Sequence, residues 1–266
     1  MKTTIYTKEH LNYLKRLKLK TLLIHGIRLA VLFAIILLWE LLARFEVIDP
    51  FISSSPSRIF KTIGKLFKSG IIDDIAVTLY ETTAGFLLST VMGTIIALLL
   101  WWSETLRRVS EPYIVVLNSL PKIALGPVII AWFGIGPSSI IFMAFLIGII
   151  VAVLTMLTGF LATDENKILL LKSMGAKKYQ ILLKLVIPGS LPTFVSMLKL
   201  NVGMAWIGSI MGEYISSDKG LGYQIVYGGQ VLNLDLVMSA TVILCALAGI
   251  MYAVVALAEK LIKLKK

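Results

Sequence analysis

The longest stretch without a charged side chain runs from Ile123 to Thr163, between Lys122 and Asp164. One membrane crossing needs about 20 apolar residues, so this stretch is long enough for two crossings. A Gly-Ile-Gly-Pro segment at residues 134–137 divides it, and glycine and proline are the residues that most often end helices. The stretch therefore predicts two consecutive membrane helices joined by a turn at that segment.

The composition of the whole chain extends this interpretation. The chain is 58% hydrophobic and only 15% charged, whereas about a quarter of the residues of a soluble domain are charged. We therefore predict an all-α polytopic membrane protein with six transmembrane helices. The predicted spans are residues 29–45, 75–102, 112–133, 138–161, 193–215 and 236–258.

Lysine and arginine residues lie mainly at the ends of the apolar segments, which indicates a membrane protein rather than a nucleic-acid-binding one. Their distribution places both termini in the cytoplasm. We expect a basic amphipathic segment or plain tail at residues 1–28, a membrane domain at 29–260 and a short cytoplasmic tail at 261–266. A further amphipathic helix from Pro56 to Gly70 is expected on the outer surface.

A polar insert at residues 162–192 separates the fourth and fifth predicted spans. Asp164 can cap a short helix, and Gly175 is placed to end it. A second short helix is expected from Lys177 to Val186, with Pro188 and Pro192 ending it. The insert is either a solvated loop or, because it carries so many leucines, a surface that another protein binds. The charge distribution places it in the cytoplasm.

The spacing within this insert resembles the cytoplasmic loop of the permease subunits of ABC importers. Gly175, nine intervening residues and then Leu185-Val186-Ile187-Pro188 correspond to the Gly and the Ile-x-Leu-Pro of that loop. The Glu-Ala-Ala of the family is absent, since Leu169, Leu170 and Leu171 occupy those positions. The resemblance implies that the loop couples to an ATP-hydrolysing subunit. The implied coupling residues are Leu169, Leu170, Leu171, Lys172, Ser173, Met174, Gly175, Ala176 and Pro188.

Two further segments, residues 111–136 and 212–223, are similar to the nitrate, sulfonate and taurine branch of these permeases, which also serves thiamine precursors. The resemblance covers about residues 29–260. It implies a type I ABC importer permease (MetI-like) fold in the cell membrane. It also implies a homodimer that works with two copies of an ABC ATP-binding subunit and with an extracytoplasmic solute-binding protein.

Several polar or aromatic side chains fall inside predicted spans, where such groups commonly line a transport pathway. Pro121 and Pro127 should kink or break the third span. Lys122 and Lys199 either line the pathway or pair and snorkel to the surface, and Glu213 either lines an outer gate or pairs with a basic group such as Lys219. The candidate pathway residues are Asn118, Pro121, Lys122, Lys199, Trp206 and Glu213.

No nucleotide-binding phosphate loop and no catalytic, cofactor or metal-binding set is recognisable in the sequence. We therefore expect a non-enzymatic permease, with ATP hydrolysis on a separate subunit. The alternatives are an ion-coupled secondary transporter, a membrane enzyme and a purely structural subunit. The lysines in the spans favour an anionic substrate, while Trp132, Trp206 and Tyr214 could equally stack on a heterocycle.

Overall fold

A computed structural model describes residues 8–264, and helices are the only regular secondary structure in that range. Residues 1–7 of the predicted basic segment and residues 265 and 266 of the predicted tail lie outside it. The α-helices are α1 (Lys8–Arg44), α2 (Pro50–Ser53), α3 (Pro56–Lys68), α4 (Ile71–Trp102), α5 (Glu104–Ser119), α6 (Gly126–Phe133), α7 (Pro137–Leu161), α8 (Glu165–Ser173), α9 (Lys178–Ile181), α10 (Ile187–Ser216), α11 (Leu221–Gln230) and α12 (Leu234–Leu264).

The chain divides into two compact units, residues 1–62 and 63–266. In the first unit, α1 continues without a break through the predicted boundary at residues 28 and 29. Near its end, the Glu40 carboxylate accepts a hydrogen bond of 3.0 Å from the Ser57 N–H at the start of α3. The predicted amphipathic helix from Pro56 is present as α3. Its location on the outer surface remains a prediction.

Five helices among the described residues are long and apolar enough to cross a membrane, and a bent pair of helices makes a sixth candidate span. The bent pair joins Glu104–Ser119 to Lys122–Phe133 at an angle of 84°. The structure therefore confirms the all-α polytopic fold and the predicted break at Pro121. The helix that contains the predicted third span begins at Glu104, before the predicted start at Pro112. The Ser103 hydroxyl caps this helix by accepting a hydrogen bond from the Leu106 N–H.

The prediction that Pro188 and Pro192 end the helix of the polar insert is wrong. Helix continues from Lys178 to Ser216 through both prolines. A π-helical turn at Leu182–Val186 comes immediately before Pro188, and the Ile187 N–H bonds to the Leu182 carbonyl, five residues back. The wider turn gives room for the proline ring, which in a regular α-helix would clash with the carbonyl four residues back.

The second unit is built around close packing of α7 against α4 and α10. A Cβ atom added to Gly208 would lie 2.4 Å from the Ala144 Cα, and one added to Gly93 would lie 2.5 Å from the Ala152 Cβ. Small residues at these crossings let the helix backbones approach one another, as is common in membrane bundles. Buried hydrogen bonds add to the packing, since the Asn201 amide donates across the bundle to Ser89 and Thr90 at 2.8 and 2.9 Å.

Candidate functional site

The polar insert folds into two short helices joined by a tight turn at Gly175. The Asp164 carboxylate caps α8 by accepting a hydrogen bond of 2.9 Å from the Asn166 N–H, as predicted. At the other end, Gly175 has φ +81°. The N–H groups of Gly175 and Ala176 donate to the carbonyls of Lys172 and Leu171, both at 2.9 Å. This pair of bonds is a Schellman motif, which favours glycine at the left-handed position.

The two faces of α8 have different surroundings. Ile168, Leu171 and Ala176 pack against a buried cluster that includes Phe160 and Ile181. Leu169, Leu170 and Met174 point outward and are 63%, 60% and 74% exposed. We call the outward-facing group the knuckle surface; it consists of Leu169, Leu170, Lys172, Ser173, Met174 and Gly175. A soluble loop rarely exposes neighbouring large apolar side chains, so this surface has the properties of a docking site.

Of the nine residues predicted to couple to an ATP-hydrolysing subunit, the structure brings six together on the knuckle surface. Leu171 and Ala176 are half-buried and support this surface from beneath. Pro188 is also half-buried and follows the π-helical turn, so it lies in the connection to α10 instead of on the exposed surface. The sequence did not distinguish inward from outward positions, because three consecutive leucines cover more than one face of a helix.

A lysine of the insert contacts the end of α4. Lys178 Nζ donates a hydrogen bond of 2.5 Å to the Trp102 carbonyl. The same ammonium group lies 5.7 and 5.5 Å from the ring centroids of Trp101 and Trp102. Cations are favoured at the C-terminal end of a helix and over aromatic faces. Lys178 was not among the predicted coupling residues, although its position after Gly175 and the tryptophan pair were both visible in the sequence.

The six predicted pathway residues do not form one cluster. Asn118, Pro121 and Lys122 lie together at the break between α5 and α6, where Lys122 Nζ donates to the Asn118 carbonyl at 3.2 Å. Lys199 forms a salt bridge with Glu259 of α12 and lies 5.9 Å from the Tyr252 ring centroid. The structure thus shows an ion pair for Lys199.

Trp206 is a core residue in this chain. Its side chain is 4% exposed and packs in a buried cluster with Phe86, Val202 and Leu221. Its indole N–H has no hydrogen-bond partner among the described residues. Stacking of Trp206 on a substrate would therefore require the surrounding helices to move.

Glu213 of α10 is buried next to the start of α11. There its carboxylate accepts a hydrogen bond from the Gly222 N–H. Two neighbouring N–H groups have acceptors on α4: Gly220 donates to Asp74 and Leu221 donates to Thr78, each at 2.8 Å. We call these three acceptors, Asp74, Thr78 and Glu213, the α11 clamp. They satisfy N–H groups that a helix start otherwise leaves without partners.

The interpretation that Glu213 pairs with Lys219 or another basic group is wrong. Its carboxyl group lies beside the carboxyl group of Glu81. In the described part of the chain, no N–H or hydroxyl group donates to either oxygen of Glu81, which is 1% exposed. A Cβ atom added to Gly220 would lie 2.5 Å from the Glu213 side chain, so glycine is required for this close approach. In the sequence, the one sign that Glu81 has a special role was that this charged residue lies inside a predicted span.

Together the fold and these sites define a polytopic helical membrane protein with exposed apolar side chains on its polar insert. Comparison with known proteins identifies the family: residues 89–263 match the family of binding-protein-dependent transport system inner membrane components. The chain belongs to this family, and it is therefore a permease component of an ABC importer. The assignment favours a transport component over the ion-coupled secondary transporter, the membrane enzyme and the purely structural subunit considered from the sequence.

Individual relatives agree with this assignment. The chain is 31% identical to the formylaminopyrimidine transport permease protein ThiX of Halalkalibacterium halodurans, over 71% of this chain and 75% of the relative. It is 26% identical to the putative aliphatic sulfonates transport permease protein SsuC of Bacillus subtilis, over 85% of this chain and 82% of the relative. These matches place it in the sulfonate and taurine branch.

A solved structure supports the fold. The inward-facing MetNI methionine ABC transporter contains a chain that superposes with a TM-score of 0.62 at 20% sequence identity. The superposition covers 70% of this chain and 92% of that one. The type I importer permease (MetI-like) fold predicted from the sequence is therefore confirmed.

Proposed function

We propose that two copies of this chain form the translocation pathway of an ATP-driven importer, with two copies of a separate ATP-binding subunit docked on the knuckle surfaces. A solute-binding protein delivers the substrate from outside. The observation that carries the docking proposal is the exposure of Leu169, Leu170 and Met174 on a rigidly capped helix. Apolar side chains held at the surface by a fixed turn provide a preorganised interface.

The proposed orientation follows from this docking. Both termini and the insert at residues 162–192 face the cytoplasm, where ATP is available, and residues 29–260 form the membrane domain. The basic segment 1–28 and the tail 261–266 then lie at the anionic cytoplasmic surface, which attracts lysine and arginine. The start of α11 lies at the outer end of the bundle.

The structure offers two routes by which movement of the knuckle could reach the spans. Lys178 connects the insert to the last carbonyl group of α4, and the π-helical turn continues directly into α10. Closure of the ATP-binding subunits would push the knuckle and bias the bundle between two access states. A ligand-driven transition requires such a difference in binding between the two states.

For the substrate, we propose a small sulfonate, taurine or nitrate-like anion or a heterocyclic thiamine precursor. The names of the two relatives, one for aliphatic sulfonates and one for formylaminopyrimidine, support these two classes. Pairing of Lys199 with Glu259 leaves Lys122, at the break between α5 and α6, as the stronger candidate for contact with an anion. Glu213 would act on the outer gate by holding α11.

The docking proposal is tested by placing a charge on the knuckle surface. Leu170→Glu should reduce ATP-driven uptake about tenfold or more in vesicles that also contain the ATP-binding and solute-binding proteins, because a carboxylate must lose its hydration in an apolar interface. Uptake and the amount of inserted permease are measured together.

Lys167→Glu is the matched control, because Lys167 is an exposed residue of the same helix but lies outside the knuckle surface. It should keep most of the uptake. Normal uptake by Leu170→Glu, or an equal loss in both variants, would show that the ATP-binding subunit docks elsewhere.

A further inference from the structure

A groove made of neighbouring cavities lies on the side of the bundle next to the knuckle surface. It consists of two cavities of about 310 and 220 Å³ that share Arg107 and Leu161. The larger cavity lies between the end of α4, the start of α5 and the insert. The smaller cavity lies between α5 and α7. One groove therefore joins the polar insert to the apolar part of the bundle.

The two cavities differ in chemistry. The larger one is lined by three basic side chains, Arg107, Lys172 and Lys178. The smaller one is lined mainly by aliphatic side chains of α5 and α7, with Glu111 and Thr158 as its other polar members besides Arg107. The aliphatic lining residues are Ile114, Val115, Leu154, Leu157 and Leu161.

The basic cavity has unused capacity to bind an anion. Its acidic residue, Glu104, forms a salt bridge of 2.6 Å with Arg108, which is not a lining residue. Among the described residues, neither Arg107 nor Lys172 takes part in a salt bridge. Lys178 uses one N–H for the Trp102 carbonyl and retains two others. The cavity therefore presents several positively charged hydrogen-bond donors. Glu111, which lines the smaller cavity, is the remaining acidic side chain of the groove.

A tryptophan in the lining of the groove indicates how deep the groove lies in the membrane. Trp101 lines the basic cavity at the last turn of α4, and tryptophan is enriched at the boundary between membrane and water. We therefore expect the basic cavity to lie at the level of the lipid headgroups. The aliphatic cavity extends from it along α7, toward the hydrocarbon.

We propose that this groove binds a phospholipid with an anionic headgroup. The phosphate group would contact Arg107 and Lys172, and one acyl chain would lie along the aliphatic cavity. Assignment to the cytoplasmic leaflet rests on the orientation given under Proposed function. An acidic segment of the ATP-binding subunit would fit the basic cavity but not the aliphatic one, which favours a lipid. The bound lipid would connect α5, α7 and the insert.

Lipid binding can be measured on the full-length permease alone, purified in detergent, by native mass spectrometry with phosphatidylglycerol or phosphatidylcholine. Phosphatidylglycerol should be retained preferentially. Arg107→Gln should weaken its retention about fivefold, which is the size expected when one basic contact to an anionic lipid is lost. Lys172→Gln should have a similar effect, and glycerol 3-phosphate, which lacks acyl chains, should compete poorly.

Lys167→Gln is the matched control, since Lys167 is an exposed basic residue of α8 that lines neither cavity. It should bind phosphatidylglycerol as the parent does. Equal retention of the two lipids, equal losses in Arg107→Gln and Lys167→Gln, or effective competition by glycerol 3-phosphate would each overturn the proposal. Because the measurement needs no ATP-binding subunit, failure of the docking proposal would leave its result unchanged.

Discussion

The knuckle and the start of α11 are both helix ends at a glycine with positive φ, +81° at Gly175 and +101° at Gly220. They differ in how the free backbone groups are satisfied. In the knuckle, carbonyl groups in the last turn of α8 accept hydrogen bonds from the N–H groups of Gly175 and Ala176, which follow directly in the chain. At α11, the first N–H groups are bonded by the α11 clamp, which comes from α4 and α10.

This difference has a mechanical consequence. The shape of the knuckle is set locally, so the knuckle can move as a unit and keep its exposed apolar side chains in place. The position of α11 depends on two other helices, and any change in the spacing of α4 and α10 must break or rearrange bonds of the α11 clamp. The first region is suited to receive a displacement, and the second to respond to one.

The largest effect is expected from Glu213→Ala, which removes one acceptor of the α11 clamp. The Gly222 N–H would lose its partner in a buried site, and a cavity would remain. We expect a loss of about 3 kcal/mol in the free energy of unfolding, because an unsatisfied buried donor and a cavity are both destabilising. Thermal unfolding of the purified chain in detergent measures this.

Asp218→Ala is the control, since Asp218 is an exposed acidic residue in the neighbouring loop and should have little effect. If Glu213→Ala unfolded at the temperature of the parent protein, α11 would not depend on the clamp. The contrast with the locally formed knuckle would then be lost.

A smaller effect is expected from Gly175→Ala. No atom lies within 4 Å of the position that a Cβ would occupy at Gly175, so the substitution introduces no clash. Its cost is the left-handed backbone conformation, about 1 kcal/mol for a residue other than glycine. We expect a partial loss of ATP-driven uptake with normal membrane insertion, because a fraction of the molecules would present a frayed knuckle.

Two variants sharpen this measurement. Gly175→Asn should retain more uptake than Gly175→Ala, since asparagine adopts the left-handed conformation more readily. Gly189→Ala, at a helical position with equally open space, should behave as the parent does. Equal uptake by the alanine and asparagine variants at position 175 would show that its backbone conformation is unimportant for coupling.

The same contrast explains how much the sequence could reveal. The cap at Asp164 and the turn at Gly175 were predicted because their signals are local. The membrane spans were predicted because each crossing requires a long apolar segment. The position of Glu213 beside α4 could not be derived in this way, since Glu81 is far from it in the sequence and no periodicity connects the two residues.

The course of the chain after the knuckle was mispredicted for a different reason. Pro188 and Pro192 are reliable helix-ending signals in regular α-helices. The π-helical turn at Leu182–Val186 changes this geometry for Pro188, whereas Pro192 lies inside α10 itself, and nothing in the structure explains why the helix continues through it. Such a turn depends on tertiary packing, in which Leu182 and Val186 are buried, and it has no sequence signature that could have been recognised.

The smallest expected effect is that of Glu81→Gln, which changes only one group beside the α11 clamp. The carboxyl groups of Glu81 and Glu213 lie side by side in a buried site, where both cannot be charged, so one of them donates a hydrogen bond to the other. The glutamine amide can supply the same donor, so we expect a change in the free energy of unfolding smaller than the about 1 kcal/mol that one hydrogen bond contributes. Asp73→Asn, an exposed acidic position on the same helix, is the control and should be neutral. Destabilisation by Glu81→Gln would mean that this carboxyl group contributes to holding α11, and that the clamp has four members instead of three.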